Sequence, residues 1–143
     1  MSQLAGVRSA VIDASAVVDF LLQPASDAPL ARLFVLYDVE LHAPALFEVE
    51  AVAGVRRALL RGQVVDIDAA RSLVQNLVDL PVELYPHHAL LSRMLDLRAN
   101  FTTYDATYVA LAETLDVPLL TGDARLAAAT RTHTEVDVIE ATI

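Results

Sequence analysis

The sequence predicts an α/β fold, a three-layer α/β/α sandwich around a short, mainly parallel sheet. Short apolar runs alternate with segments of helical period almost throughout the chain. Most of those runs are continuously apolar, as strands covered on both faces are, and lack the polar alternation of half-exposed strands. No repeat, low-complexity tract or linker interrupts the 143 residues, a length that suits one domain over 1–143.

Taken in order, Ser9 to Ile12 reads as a buried strand ending at Asp13. Ser15 to Leu22 reads as a helix stopped by Pro24, and Ser26 to Tyr37 as a second helix with Pro29 in its first turn. A strand over Glu40 to Ala43 follows, and Pro44 is expected to open a long helix that runs to Arg61 and closes at Gly62. Asp66 to Leu80 reads as helix, Val82 to Tyr85 as strand, and Pro86 to Ala99 as helix. Thr102 or Thr103 caps the next helix, Tyr104 to Leu115. Val117 to Thr121 is a strand, Ala124 to Thr130 a helix, and Val136 to Ile139 a last strand.

Composition narrows the function classes. Hydrophobic residues make up 55% of the chain and mean hydropathy is +0.46, yet no apolar run approaches the ~18 residues that span a bilayer. The first residues lack the basic start and apolar core of a signal peptide, so the expected location is the cytoplasm. With no cysteine, disulfides and thiolate metal sites are excluded. So much apolar surface on a short chain points to burial against a partner or a second copy, a homodimer. Nineteen acids stand against ten bases, giving −9, and every base other than histidine is an arginine. Such a chain has no broad basic footprint for nucleic acid. Action on RNA would require a divalent cation at the site and locally clustered arginines. The plainer account of the charge is solubility alone.

In open parallel sheets, function gathers at the carboxyl ends of the strands. Two such ends carry a carboxylate near a small hydroxyl: Asp13 with Ser15, and Asp123 with Thr121. Asp105 lies in the first turn of its helix. Glu50 lies inside the helix after Pro44, with Leu46, Phe47, Ala53 and Gly54 one turn away, so its stripe should be buried. Periodicity does not separate it from Glu48, whose neighbours are also small and apolar. Taken singly, each acid also fits an ordinary role as helix cap, first-turn acid or turn residue. Together they form a hard oxygen set suited to Mg²⁺ or Mn²⁺. Arg57 and Arg61 share the stripe of Glu50, where they either meet RNA phosphates or simply complement a helix end. His87 and His88 are adjacent and lack ligand spacing, and His42 and His133 sit at strand or surface positions.

Val11-Ile12-Asp13-Ala14-Ser15-Ala16 resembles the opening motif of PIN domains, specifically the VapC toxins of bacterial toxin–antitoxin pairs. Ala43-Pro44-Ala45-Leu46-Phe47-Glu48-Val49-Glu50 is similar to their second motif, Thr103-Tyr104-Asp105-Ala106-Thr107-Tyr108 to the third, and Leu119-Leu120-Thr121-Gly122-Asp123 to the fourth. The four occur in order across nearly the whole chain, and Tyr-Asp-Ala-x-Tyr is the most specific. The resemblance implies an Mg²⁺-dependent endoribonuclease toxin, with Asp13, Glu50, Asp105 and Asp123 as metal-site acids and Ser15 and Thr121 as supporting hydroxyls. It further implies RNA as substrate, a 5′-phosphate product, and a cognate antitoxin protein.

Rival α/β classes fail on particular residues. A receiver domain needs a lysine and the chain has none; a haloacid-dehalogenase-like phosphatase wants Asp-x-Asp where Asp13-Ala14-Ser15 stands; the four glycines are too scattered for a dinucleotide turn. The alternative from another class is a non-catalytic PIN-like binding or scaffold module with a vestigial metal site.

Overall fold

The apolar run Ser9–Ile12 is strand β1 in the computed structural model, which describes residues 6–23 and 38–141. Helix α1 (Ala14–Leu21) leaves it directly. Then come β2 (Glu40–Pro44), α2 (Leu46–Leu60), α3 (Ile67–Asp79), β3 (Val82–Tyr85), a 3₁₀ turn (His88–Leu90) and α4 (Leu91–Asp96). The chain continues through α5 (Thr103–Leu115), β4 (Leu119–Thr121), α6 (Ala124–His133) and β5 (Val138–Glu140). The helix expected over Ser26 to Tyr37 lies outside the described residues.

All five strands pair in parallel, in the order β3-β2-β1-β4-β5. Successive residues of a strand point to opposite faces, and Ala10, Val11 and Ile12 are all buried, so both faces of the sheet are covered at its centre, while edge strand β3 leaves Glu83 and Leu84 exposed. Helices α1, α2 and α3 pack on one another as one group and α4 on α5 as a second; α5 lies across β1, β2 and β4. The three-layer α/β/α expectation holds. Strand order reverses between β1 and β4, since the chain steps one way through β1, β2 and β3 and the other way through β4 and β5. The carboxyl ends on either side of that reversal leave a crevice open.

The last strand starts two residues late and α6 runs on to His133; three further boundaries depart from the sequence expectation, each for a local reason. Pro44 ends β2 in register with Tyr85, and Ala45 N donates to Tyr85 O at 2.8 Å, so α2 starts at Leu46 and not at the proline. Pro118 has no N–H for the ladder and gives only its carbonyl, to Val11 N, so β4 begins at Leu119. The single helix expected over Pro86 to Ala99 is a 3₁₀ turn followed by the six residues of α4. His87, at its head, faces the other way: its Nε2 accepts Leu46 N at 3.0 Å and caps α2, whose own N-cap, Ala45, has no side-chain acceptor.

Helices α1 and α2 approach unusually closely at Gly54. A Cβ there would lie 2.6 Å from Val18 Cγ2, so only glycine permits the contact. That crossing places Val18 and Asp19 of α1 opposite Glu50, Ala53 and Arg57 of α2.

Candidate active site

Strand β1 runs straight into Asp13, whose backbone N–H still pairs with Leu120 O of β4 at 2.9 Å. The strand therefore delivers this carboxylate to the reversal point, where it is only 6% exposed. Ser15 Oγ donates to Asp13 Oδ2 at 2.6 Å and Thr121 Oγ1 donates to the same oxygen at 2.7 Å. Both hydroxyls are fixed from behind, Ser15 Oγ accepting Gly122 N at 3.1 Å and Thr121 Oγ1 accepting Asp123 N at 3.0 Å. The loop after β4 is thus tied to the acid after β1. Burial pushes the Asp13 carboxyl above its ordinary range; the two hydroxyl donors pull it back, and the Asp123 charge adds to the rise.

Asp123 caps α6, its Oδ1 accepting Arg125 N at 2.9 Å and Leu126 N at 3.2 Å. It fills the ordinary capping role and lines the crevice as well. Asp105 is held at the start of α5 by its N–H, which donates to Thr102 Oγ1 at 3.1 Å; Thr102, not Thr103, is the cap. Its carboxyl is raised by burial, then by the charges of Asp13 and Asp123, with a smaller contribution from Glu50. Glu50 reaches the same space from α2, while Glu48 is exposed and lines no part of it. Tyr108 OH donates to Glu50 Oε1 at 2.6 Å. The Glu50 carboxyl rises through burial, is lowered by that bond, is raised again by Asp13 and is eased by Arg57.

Asp13, Ser15, Asp19, Glu50, Arg57, Asp105 and Asp123 together line one cleft of about 340 Å³. All four acids singled out in the sequence come to it. Thr121 stands beneath Asp13, with its hydroxyl and that of Ser15 both turned to the carboxylate, so their support is to orient Asp13. Arg57 lines the cleft; Arg61 is exposed outside it.

Two participants were not anticipated. Asp19 follows Ser15 by one helical turn, which puts it on the cleft side of α1, and burial raises its carboxyl. A Cβ on Gly122 would come within 3.0 Å of its Oδ2. Tyr108 follows Asp105 by three positions, the spacing that places both on one face of α5. It is fully buried, and burial and Glu50 push its hydroxyl far above the ordinary range, so it stays a donor.

A cleft lined by five carboxylates and one arginine, with no cysteine or histidine, offers only hard oxygen donors and fits Mg²⁺ or Mn²⁺ in chemistry. Among the described residues no trio of acidic or histidine side chains is already closed enough to hold an ion. The cleft presents separate carboxylate arms and not a finished cage, as expected of like charges with half-buried, repelling neighbours.

Fold and site together define a parallel α/β protein with an acidic crevice at its strand reversal. The PIN domain model matches residues 10–131. Ribonuclease VapC12 of Mycobacterium tuberculosis is 38% identical over 129 residues, 90% of this chain and 98% of the relative; Ribonuclease VapC1 of the same organism is 41% identical over 130 residues, 90% and 96%. The chain belongs to the PIN-domain family and, within it, to the VapC ribonucleases. PIN-domain ribonucleases are in general divalent-metal-dependent. Two solved structures share the fold: PAE2754 from Pyrobaculum aerophilum, at TM-score 0.64 and 24% identity over 92% of this chain and 83% of that one, and VapC20 of M. tuberculosis, a Sarcin-Ricin loop cleaving toxin, at 0.58 and 15% over 83% and 93%.

Proposed function

We propose that this chain is the endoribonuclease toxin of a type II toxin–antitoxin pair, a single domain that hydrolyses RNA phosphodiesters with Mg²⁺, or Mn²⁺ in its place, as cofactor. The observation that carries the proposal is the convergence of Asp13, Glu50, Asp105 and Asp123 on one cleft at the strand reversal of a VapC-type chain. No feature of the cleft favours a scaffold role.

These four carboxylates would hold the ion. Bound there, it supplies Lewis acidity, acidifying a water for attack on phosphorus and offsetting charge on the departing oxygen. The chain's own residues prepare that chemistry. Ser15 and Thr121 lock Asp13 in one orientation, and Tyr108 does the same for Glu50. Arg57 stands at the wall as the cation available to a phosphate oxygen, with Arg61 beyond the rim. No side-chain nucleophile is needed, and the products are a 5′-phosphate and a 3′-hydroxyl.

The partners are RNA and the cognate antitoxin, a protein whose cationic side chain enters the acidic cleft. The exposed apolar residues Leu91 and Leu95, one turn apart on α4, support a homodimer. No helix among the described residues is long and apolar enough to cross a membrane, and the cytoplasm is the site of action.

The test is cleavage of a mixed-sequence RNA in Mg²⁺ and in EDTA. Wild type should cut only with the metal, and Asp13→Asn should lower the rate by more than about 100-fold, beyond the range for groups that merely support a ligand. Wild-type turnover in Asp13→Asn would show the site to be misassigned.

A further inference from the structure

A second groove, of about 240 Å³, shares Asp105 with the acidic cleft and is otherwise lined by Asn100, Phe101, Thr102, Arg125 and Leu126, with Ala129 behind them. Its character is different. Phe101 and Leu126, 8% and 2% exposed, give it an apolar floor. Asn100, in the turn between α4 and α5, and Arg125, in the first turn of α6, are exposed at its rim. The backbone N–H of Arg125 is engaged with Asp123, but its guanidinium makes no ion pair or hydrogen bond among the described residues, in contrast to Arg93 and Arg131. The Asn100 amide is equally uncommitted there.

An exposed arginine whose guanidinium has no protein partner among the described residues, in a groove with a single carboxylate, has its charge available to an anionic occupant. An apolar floor suits a base, and an amide that both donates and accepts suits a base edge. These are the means by which proteins read unpaired RNA, whose bases are free to leave the stack. Because Asp105 is common to both spaces, a strand with its scissile phosphate in the acidic cleft would bring an adjacent nucleotide to the groove. The cationic side chain of an antitoxin would meet repulsion from Arg125.

We propose that this groove binds the nucleotide flanking the scissile phosphate of unpaired RNA, with its base on the Phe101–Leu126 floor, the base edge read by Asn100 and the phosphate held by Arg125. The inference rests on the ribonuclease reading above, so binding is measured apart from cleavage. The probes are labelled single-stranded RNA decamers, one of mixed sequence and others of A, C or U alone. They are titrated by fluorescence anisotropy in Mg²⁺ with the full chain carrying Asp13→Asn, which keeps the strand whole. Adding Arg125→Gln should weaken binding about tenfold and reduce the slope of log affinity against log salt by about 0.7. Arg71→Gln, the same loss of charge on the exposed face of α3, should do neither. Asn100→Ala should narrow the spread of affinities among the A, C and U strands. If Arg125→Gln matches Arg71→Gln, or if RNA affinity is untouched and the groove is left to a protein partner, the proposal is overturned. A wild-type chain that binds RNA through Arg125 yet cuts nothing would break the nuclease reading and leave this subsite standing.

Discussion

On one side of the molecule Arg93 of α4 and Glu113 of α5 meet in a bidentate ion pair, Nε to Oε1 at 2.8 Å and Nη2 to Oε2 at 2.9 Å. At the strand reversal, by contrast, five carboxylates share one cleft with a single arginine. The paired acid has found its cation within the fold. The cleft acids are held by neutral donors, Ser15 and Thr121 on Asp13 and Tyr108 on Glu50. Hydroxyls fix the direction of a carboxylate and leave its charge in place. Where an ion pair is complete, the group serves the fold; where orientation is supplied without neutralisation, the charge is kept for something that arrives later.

The largest effect that sharpens this contrast is the response of stability to metal. At a Mg²⁺ concentration about 100 times its dissociation constant, wild type should gain about 2.7 kcal/mol over the EDTA form, because the ion binds only the folded site. Melting curves should show a much smaller gain for Asp105→Asn and an unchanged gain for Arg93→Gln. Equal shifts in wild type and Asp105→Asn would break the comparison, since these acids would then not form a shared site.

A smaller effect follows from pH. Burial and mutual repulsion raise the folded pKa of Asp13, Glu50 and Asp105 above ordinary values of 3.8 for aspartate and 4.5 for glutamate. Between ordinary and raised values the folded chain binds more protons than the unfolded one, so stability in EDTA falls as pH rises through that window. Below the ordinary value the penalty is absent; above the raised one it is present in full. Asp105→Asn in EDTA at pH 7 should therefore be as stable as wild type or stabler, by at most about 1 kcal/mol because the carboxyl is only half-buried. The difference should close below the ordinary value of 3.8, and denaturant midpoints at about pH 7 and about pH 3 measure it. A mutant clearly less stable at pH 7 would mean that the acid stabilises the metal-free fold. The smallest effect belongs to the paired side. Arg93→Gln should cost about 0.5 kcal/mol, since the pair is partly exposed, and the cost should shrink in high salt.

Much of this was legible in the sequence, and what was not has a physical reason. Asp13, Asp123 and Thr121 were readable because strand ends in a parallel sheet have a fixed functional meaning. Periodicity did not separate Glu50 from Glu48, because both have small apolar neighbours on α2; only the packing of α1 against α2 gives Glu50 the cleft and Glu48 the solvent. Tyr108 stood in the third motif but without a role, because residues 106–112 of α5 are all buried and the helix has no polar stripe to mark one hydroxyl as special. Its partner lies 58 residues away. His87 looked idle because its task, capping α2, is set by a contact across 41 residues. The Ser15 contact with Asp13 is local and was readable, but the Thr121–Asp13 and Tyr108–Glu50 contacts that complete the site are long-range, and local pattern does not encode them.

The Thr121 hydroxyl that steadies Asp13 lies 108 residues further along the chain. At the usual pace of ribosomal synthesis, roughly 5 to 20 residues per second, the first acid is made roughly 5 to 20 seconds before its companion. Until β4 docks beside β1, the growing polypeptide lacks the Thr121 hydroxyl that orients its first acid. Enzymes that destroy RNA endanger the machine that makes them. On the proposed toxin reading, the order of assembly postpones the danger and would leave a cognate antitoxin that interval in which to be ready.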